Sequence, residues 1–374
     1  MKSILSKCIC CLLMGLTISI TATSTKAQLS ETQTLDYVPV DSFLVVSLNM
    51  KSLFEGMDTE HPIIKQYLER DSTKNAFEFD RMAQQLTFLT SATGEEENQY
   101  SFPGGSITRF NDSLDPQEWL KKSEMQQPFA KLEFETEKYK EHELHIGTFD
   151  FGEGVVVGTE GMAFVFPNEE TVISASESVL KGMLDQYEGD KSSELASKLD
   201  SEVDVHFLMG PGSKLTEIPM FDLVAGGIPI PDLRETLESI ESIELIGDMD
   251  QMTPVTGTVV CNSTEAAIKL EELLKTGLQA VPALVMLGES QVDEVSDFGE
   301  IFEPMKEDIR SLLKLADTAA KEISITRNDQ TLEIQLGNVE GLDQLPNKLI
   351  VLMFGQQMAM EKMMEEARGT GFVD

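Results

Sequence analysis

Asp41-Ser-Phe-Leu-Val-Val-Ser-Leu48 decides the reading of this chain. Its apolar residues run together with little alternation, the pattern of a strand covered on both faces. A second such run, Asp200-Ser-Glu-Val-Asp-Val-His-Phe-Leu208, comes about 159 residues later, and self-similarity at a fixed offset marks a repeated unit.

Other segments fall into the same frame. Gln85-Leu-Thr-Phe-Leu89 matches Ser242-Ile-Glu-Leu-Ile246, each after an acidic, amphipathic helical stretch. Gly105-Ser-Ile-Thr-Arg-Phe110 leads to Asp115-Pro-Gln-Glu-Trp-Leu120, as Gly257-Thr-Val-Val-Cys-Asn262 leads to Thr264-Glu-Ala-Ala-Ile268. Asp115 is a good N-cap with Pro116 at the first helical position, and Ser263 or Thr264 caps the counterpart. The counterpart helix is marked by Ala267, Ile268, Leu270, Leu273 and Leu274 at the 3.6-residue period. Phe164 to Ala175 and Ile323 to Leu336 read as hairpins, with turns at Asn168-Glu-Glu and Asn328-Asp-Gln. Asn and Asp suit such turns because they tolerate left-handed backbone. Helices follow, starting near Ser176 and near Leu342.

The order is a β-α-α-β-α-β-β-α unit used twice. The first half adds strands at Glu143 to Ile146 and Val155 to Gly158; the second adds helices. Strands that alternate with single helices yet also form hairpins indicate an α+β fold: two related mixed α/β halves, an internal duplication, with mostly antiparallel or mixed sheets flanked by helices. The expected divisions are a signal peptide at 1–27, a first half at 28–190, a second half at 198–368 and a flexible tail at 369–374. Loose segments are expected at Gly94 to Tyr100, Lys191 to Leu195 and Gly288 to Asp297, the middle one dividing the halves. The pattern leaves open whether the halves share one sheet.

Val38-Pro-Val-Asp41 before an apolar strand and helix, Ala266-Ala267 opening an amphipathic helix, and the closing hairpin resemble a group of uncharacterised exported proteins of planctomycete bacteria. The resemblance runs along nearly the whole chain after residue 27. It implies export and a duplicated α+β fold, and it carries no functional residue.

Residues 1–27 have the layout of a secretory signal peptide: Lys2 and Lys7, a short apolar core from Ile9 to Ile20, then Thr25-Lys26-Ala27 at a cleavage site. The apolar core is too short to span a bilayer. Removing three lysines with this segment leaves 26 Lys and Arg against 65 Asp and Glu, a formal charge of −39. Such a chain repels nucleic acid and anionic lipid, and its acids, spread along the chain, serve solubility. About 347 residues exceed what one core usually serves. Cys8, Cys10 and Cys11 lie in the leader, so Cys261 stands alone and reads as a small core residue. No span is expected in the mature chain; the best apolar stretch, Ala280 to Gly288, is short and contains Pro282.

The motifs that suggest chemistry fall short of it. His142-Glu-Leu-His145 spaces its histidines three apart in a strand, where they point to opposite faces rather than to one metal. His206, in a strand, has no cysteine partner, and Ser213 lacks the Gly-x-Ser-x-Gly elbow. Gly210-Pro-Gly-Ser-Lys214 reverses the Lys-Ser order of a phosphate loop, and Pro211 removes a donor. Ser311-Leu-Leu-Lys314 has the Ser-x-x-Lys spacing of penicillin-binding enzymes without its companion motifs. Met353, Met358, Met360, Met363 and Met364 could hold a soft copper ion or form a helix contact. Asp248-Met-Asp250 lacks the calcium-loop spacing. Asn111-Asp-Ser and Asn262-Ser-Thr fit the glycosylation pattern.

No residue is therefore assigned a catalytic, cofactor-binding or metal-binding role. The reading is an exported, soluble, non-catalytic protein that binds or scaffolds a protein partner in the cell envelope or outside the cell. The alternatives are an exported hydrolase using buried Asp/Glu carboxylates and a periplasmic metal handler.

Overall fold

A computed structural model describes residues 32–55, 57–69, 81–90, 104–125, 131–150, 162–189, 193–200, 202–217, 233–248, 253–292, 305–355 and 358. The leader expected at 1–27, the strand expected at Val155 to Gly158, the loose segment expected at Gly94 to Tyr100 and the tail expected at 369–374 lie outside these residues. Ser42–Leu48 is β1, near the middle of a single twelve-stranded sheet whose neighbouring strands are all antiparallel. Val45 points into one core beside Leu86, Phe88 and Ile107, while Val46 joins another with Phe207, Val259 and Leu332. Burial on both faces explains the missing alternation.

The first half begins with the short helix α1 (Thr32–Leu35). After β1 come α2 (Met50–Glu55), α3 (Pro62–Glu69), β2 (Met82–Thr90), β3 (Gly104–Phe110) and α4 (Pro116–Met125). It closes with β4 (Lys131–Tyr139), β5 (His142–Asp150), β6 (Met162–Asn168), β7 (Thr171–Ser176) and α5 (Glu177–Glu188). The second half runs through β8 (Val205–Met209), α6 (Gly212–Thr216), α7 (Leu233–Glu238), β9 (Ile240–Gly247) and β10 (Val255–Cys261). It ends with α8 (Thr264–Val292), α9 (Met305–Glu322), β11 (Ile323–Asn328), β12 (Thr331–Leu336) and a helix over 345–355, α10.

The fold is α+β, with strand order β11-β12-β10-β9-β8-β1-β2-β3-β7-β6-β5-β4. The halves share this one sheet, joined where β1 pairs with β8. From that joint outward the order is β1-β2-β3-β7-β6 on one side and β8-β9-β10-β12-β11 on the other. Local devices recur with it. Gly105 of β3 lies opposite Phe88, and a Cβ there would sit 2.7 Å from the Phe88 ring. Gly257 of β10 lies opposite Leu245, and its Cβ would come within 2.4 Å of that side chain. In each half a large side chain of the second strand lies flat over a glycine of the third, which only a missing Cβ allows. The hairpins close at Asn168 with Thr171 and at Asn328 with Thr331, and Asp329 takes a positive φ of 56°. Past the third strand, Asn111 N–H donates to Arg81 C=O, and Asn262 N–H to Ser239 C=O.

Helix starts follow local chemistry. Asp115 Oδ1 accepts from the Gln117 and Glu118 N–H groups at 2.9 and 3.2 Å. At α8 the cap is Ser263, whose Oγ accepts from Ala266 N–H at 3.1 Å, while Thr264 Oγ1 donates to Asp329 instead. Three differences from the sequence reading have physical causes. The second-half strand starts at Val205, because Asp200 gives its N–H to the His206 ring rather than to a ladder. β4 went unread although Leu132 and Phe134 alternate with Glu133, Glu135 and Glu137, the pattern of a strand with one face in water. Gly288 to Val292, expected to be loose, continue α8, which passes Pro282 although proline forfeits a helical hydrogen bond.

The helices interlock the halves. Leu180, Met183 and Leu184 of α5 cover the first core, and Ala267 and Leu270 of α8 the second. Trp119 of α4 packs on Phe164 and Phe166, with ring centroids 5.3 and 5.6 Å away. α10 reaches back to α3: Tyr67 and Phe354 stack at 3.9 Å, beside Ile63, Ile64, Ile350 and Val351.

Gly105→Ala should cost about 1–3 kcal/mol, because its Cβ would overpack the core. Gly182→Ala on α5, with nothing within 4 Å of its Cβ, should add up to about 1 kcal/mol through helix propensity. Urea denaturation of both variants checks the pair.

Candidate functional site

The joint between the halves gathers buried polar groups. Ser47 and His206 face each other across β1 and β8. Gln84 Nε2 donates to Ser47 Oγ at 2.9 Å. Ser52 Oγ donates to the buried Asp204 at 2.6 Å, and Asn49 N–H donates to Asp204 C=O. The His206 side chain is 2% exposed. Its Nδ1 accepts from Asp200 N–H at 2.8 Å, so Nε2 carries the proton and donates to Glu244 Oε1 at 3.1 Å. Both ring nitrogens are thus committed to structure, tying the inter-half segment to β8 and β9.

The other singled-out residues are dispersed. His145 is buried with its ring edge-on to Phe166 at 5.8 Å and shares a hydrogen bond with Thr136 Oγ1 at 3.1 Å. Burial holds its pKa below the ordinary 6.5, against a smaller upward pull from Glu143. His142, three residues earlier on β5, pairs with Tyr139 at the hairpin end. Cys261 is fully buried in the second core, and burial pushes its thiol pKa up. In the Gly-Pro-Gly-Ser-Lys segment, a Cβ on Gly212 would lie 2.0 Å from Leu237 C=O. Close packing of α6 on α7 therefore accounts for that glycine. Ser311 and Lys314 lie on α9. Met358 is buried beside α3, Met353 is 46% exposed, and Met360, Met363 and Met364 lie outside the described residues, as does Asp250. Asn111 and Asn262 are exposed. Among the described residues no three His, Cys, Asp or Glu groups come together as a metal site. Burial also raises the Asp41 pKa, and among the described residues its carboxyl shows no hydrogen bond to a histidine or a second carboxylate.

One surface feature went unread in the sequence. From Gly277 to Gly288 α8 bears no charge. Val285 is buried, and Gly288 faces α9, where a Cβ on it would meet Leu313 at 2.9 Å. The outer side presents Leu284, Met286 and Leu287 at 48, 65 and 44% exposure, with Ala280 and Ala283 also exposed. Leu284 and Leu287, with Ala280 and Ala283, keep the spacing of one helix face. Charge resumes on either side of it, with Glu289 at one end and Glu272, Lys275 and Glu271 at the other, the last two paired at 2.6 Å. Exposed apolar side chains gathered on one helix face are a feature that proteins use for contacts. The signal was present as a charge-free run, but read as a membrane span it was simply too short. No helix among the described residues is long and apolar enough to cross a membrane.

These features define an α+β protein built on one antiparallel sheet with an apolar helix face outside it. No protein-family model and no curated protein matches the chain. The solved structure of TP0453 in its crystal form I aligns over 85% of this chain and 96% of its own, at 11% identity and a TM-score of 0.36. A likeness that loose bears on neither fold nor function.

His206→Phe should cost about 1–3 kcal/mol, since Asp200 N–H loses its acceptor, whereas Glu244→Gln, which keeps an acceptor on a half-exposed chain, should cost under about 1 kcal/mol. Because the folded-state pKa of His145 is depressed, its contribution is present above its unfolded pKa and is lost as the pH falls from about 6.5. Urea midpoints at pH 7.5 and 5.5 should fall less on acidification in His145→Gln than in the parent.

Proposed function

We propose that this is an exported, non-catalytic binding protein, built from a duplicated α+β unit, whose contact surface includes the outer face of α8. The exposed trio Leu284, Met286 and Leu287 carries the reading. The secretory layout of residues 1–27 and the resemblance to exported planctomycete proteins support the address in the envelope or beyond. The repeated strand order and the glycines at 105 and 257 support the duplication.

The occupant we assign to this face is a protein. The chain carries a formal charge of −36, so anionic lipid and nucleic acid are repelled. A complementary partner presents an apolar groove with a basic rim. The hydrolase alternative needs acid–base groups gathered in one cleft: Asp41 shows no such partner among the described residues, and the pair of His61 with Asp308, at 3.1 Å, is itself met by Lys348 at 3.7 Å.

A photocrosslinker at position 287 of the native protein in its own cells should yield a discrete adduct, and the same group at exposed Glu265 should not. Leu284→Glu should reduce the adduct at least tenfold while circular dichroism stays unchanged. Equal labelling from both positions, or an adduct indifferent to Leu284→Glu, overturns the assignment.

A further inference from the structure

The two ends of the sheet differ in a way that points to a partner for one of them. β4 and β11 are its outermost strands. An outer strand leaves a row of backbone N–H and C=O groups open to another strand, and proteins commonly block it with charge, proline or a bulge. β4 is blocked by charge. Glu133, Glu135 and Glu137 alternate along it and are all exposed. Two β4 strands paired antiparallel about Glu135 would set glutamate against glutamate at three positions, and like charges directly opposite destabilise a ladder.

β11, Ile323-Ser-Ile-Thr-Arg-Asn328, has no acid, no lysine and no proline. It pairs with β12 through six consecutive residues without a bulge, and among the described residues with no other strand. Its open side is readable from the hairpin. Gly337 N–H donates to Glu322 C=O in the same register that closes Asn328 on Thr331. Bonded and non-bonded pairs alternate in an antiparallel ladder, so Glu322, Ser324, Thr326 and Asn328 turn their backbone groups to β12. Ile323, Ile325 and Arg327 turn theirs outward.

We propose that β11 is a homodimer edge, which pairs antiparallel with β11 of a second copy of this chain about a two-fold axis at Ile325. The strand is self-complementary about that point. Ile325 meets Ile325, Ser324 meets Thr326 of the other copy, Ile323 meets Arg327, and no like charges stand opposite. Arg327 is already held by Glu271 of α8 at 2.8 Å, so its charge is neutralised at the joint. In a chain with 65 acids, a regular acid-free edge is the exception, and it permits two strongly anionic copies to approach. The internal joint shows the same geometry at the same scale: β1 and β8 pair antiparallel through five residues each. This edge does not involve the outer face of α8, so either assignment can fail alone.

Sedimentation of the full-length chain after export, over a range of protein concentrations, should show a monomer–dimer equilibrium. Ser324→Glu with Thr326→Glu sets carboxylates opposite each other and should weaken the dimer at least tenfold. Ser324→Lys with Thr326→Glu sets opposite charges there and should restore it. Ser324→Cys with Thr326→Cys should give a disulfide-linked dimer on mild oxidation, the buried Cys261 being shielded. A monomer at every concentration, or a dimer that neither charge pattern moves and the cysteines do not trap, overturns the proposal.

Discussion

The antiparallel pairing of β1 with β8 is the constraint on which the rest of this structure depends. Leu44 to Leu48 bond to Val205 to Met209 and merge two five-strand orders into one sheet. Because both strands lie inside the sheet, their side chains must satisfy a core on each face. Val45 and Val46, adjacent in sequence, therefore belong to different cores. The polar residues at the joint are tolerated because each finds a partner: Ser47 with Gln84, Ser52 with Asp204, His206 with Asp200 and Glu244. A buried polar group left alone would cost more than its bond returns. His206, read in the sequence as a strand histidine without catalytic partners, ties the segment joining the halves to the sheet.

Around that joint the chain repeats its solutions. A glycine in the third strand makes room for Phe88 in one half and Leu245 in the other, and Asn-led turns close both hairpins. The halves then diverge at the periphery. The first adds the β4–β5 hairpin, strapped to α5 by Lys140, which reaches Asp185 and Glu188, and by Lys181, which reaches Glu137 and Glu177. The second lengthens α8, the counterpart of α4, and adds α9. The additions decide what each half shows to solvent: a charged edge on one side, an acid-free edge and an apolar helix face on the other.

Much of this architecture was legible in residue order. Alternation and its absence marked the strands, Asp115 and Ser263 marked helix starts, and Asn168 and Asn328 marked turns, because each depends on neighbours a few positions away. Three readings failed for want of distant information. Asp200 left its strand because a ring six residues on captured its N–H. β4 escaped because its alternation of Leu132 and Phe134 with glutamates is short of apolar residues, and pairing with β5 is what makes it a strand. The α8 face escaped because exposure depends on what packs against the helix, and periodicity alone does not say which side α9 takes.

Sequence by itself determined the acidity, the α+β class and most of the order of the described elements. All follow from composition and from local backbone preference. Only the tertiary structure decided that the halves form one sheet, that the His206 ring joins Asp200 to Glu244, that α10 closes back on α3, and that Leu284, Met286 and Leu287 stand outside any core. The physical reason is common to all four. Pairing, burial and exposure are set by contacts between residues far apart along the chain, and side chains with the same local pattern meet different fates according to what is folded against them.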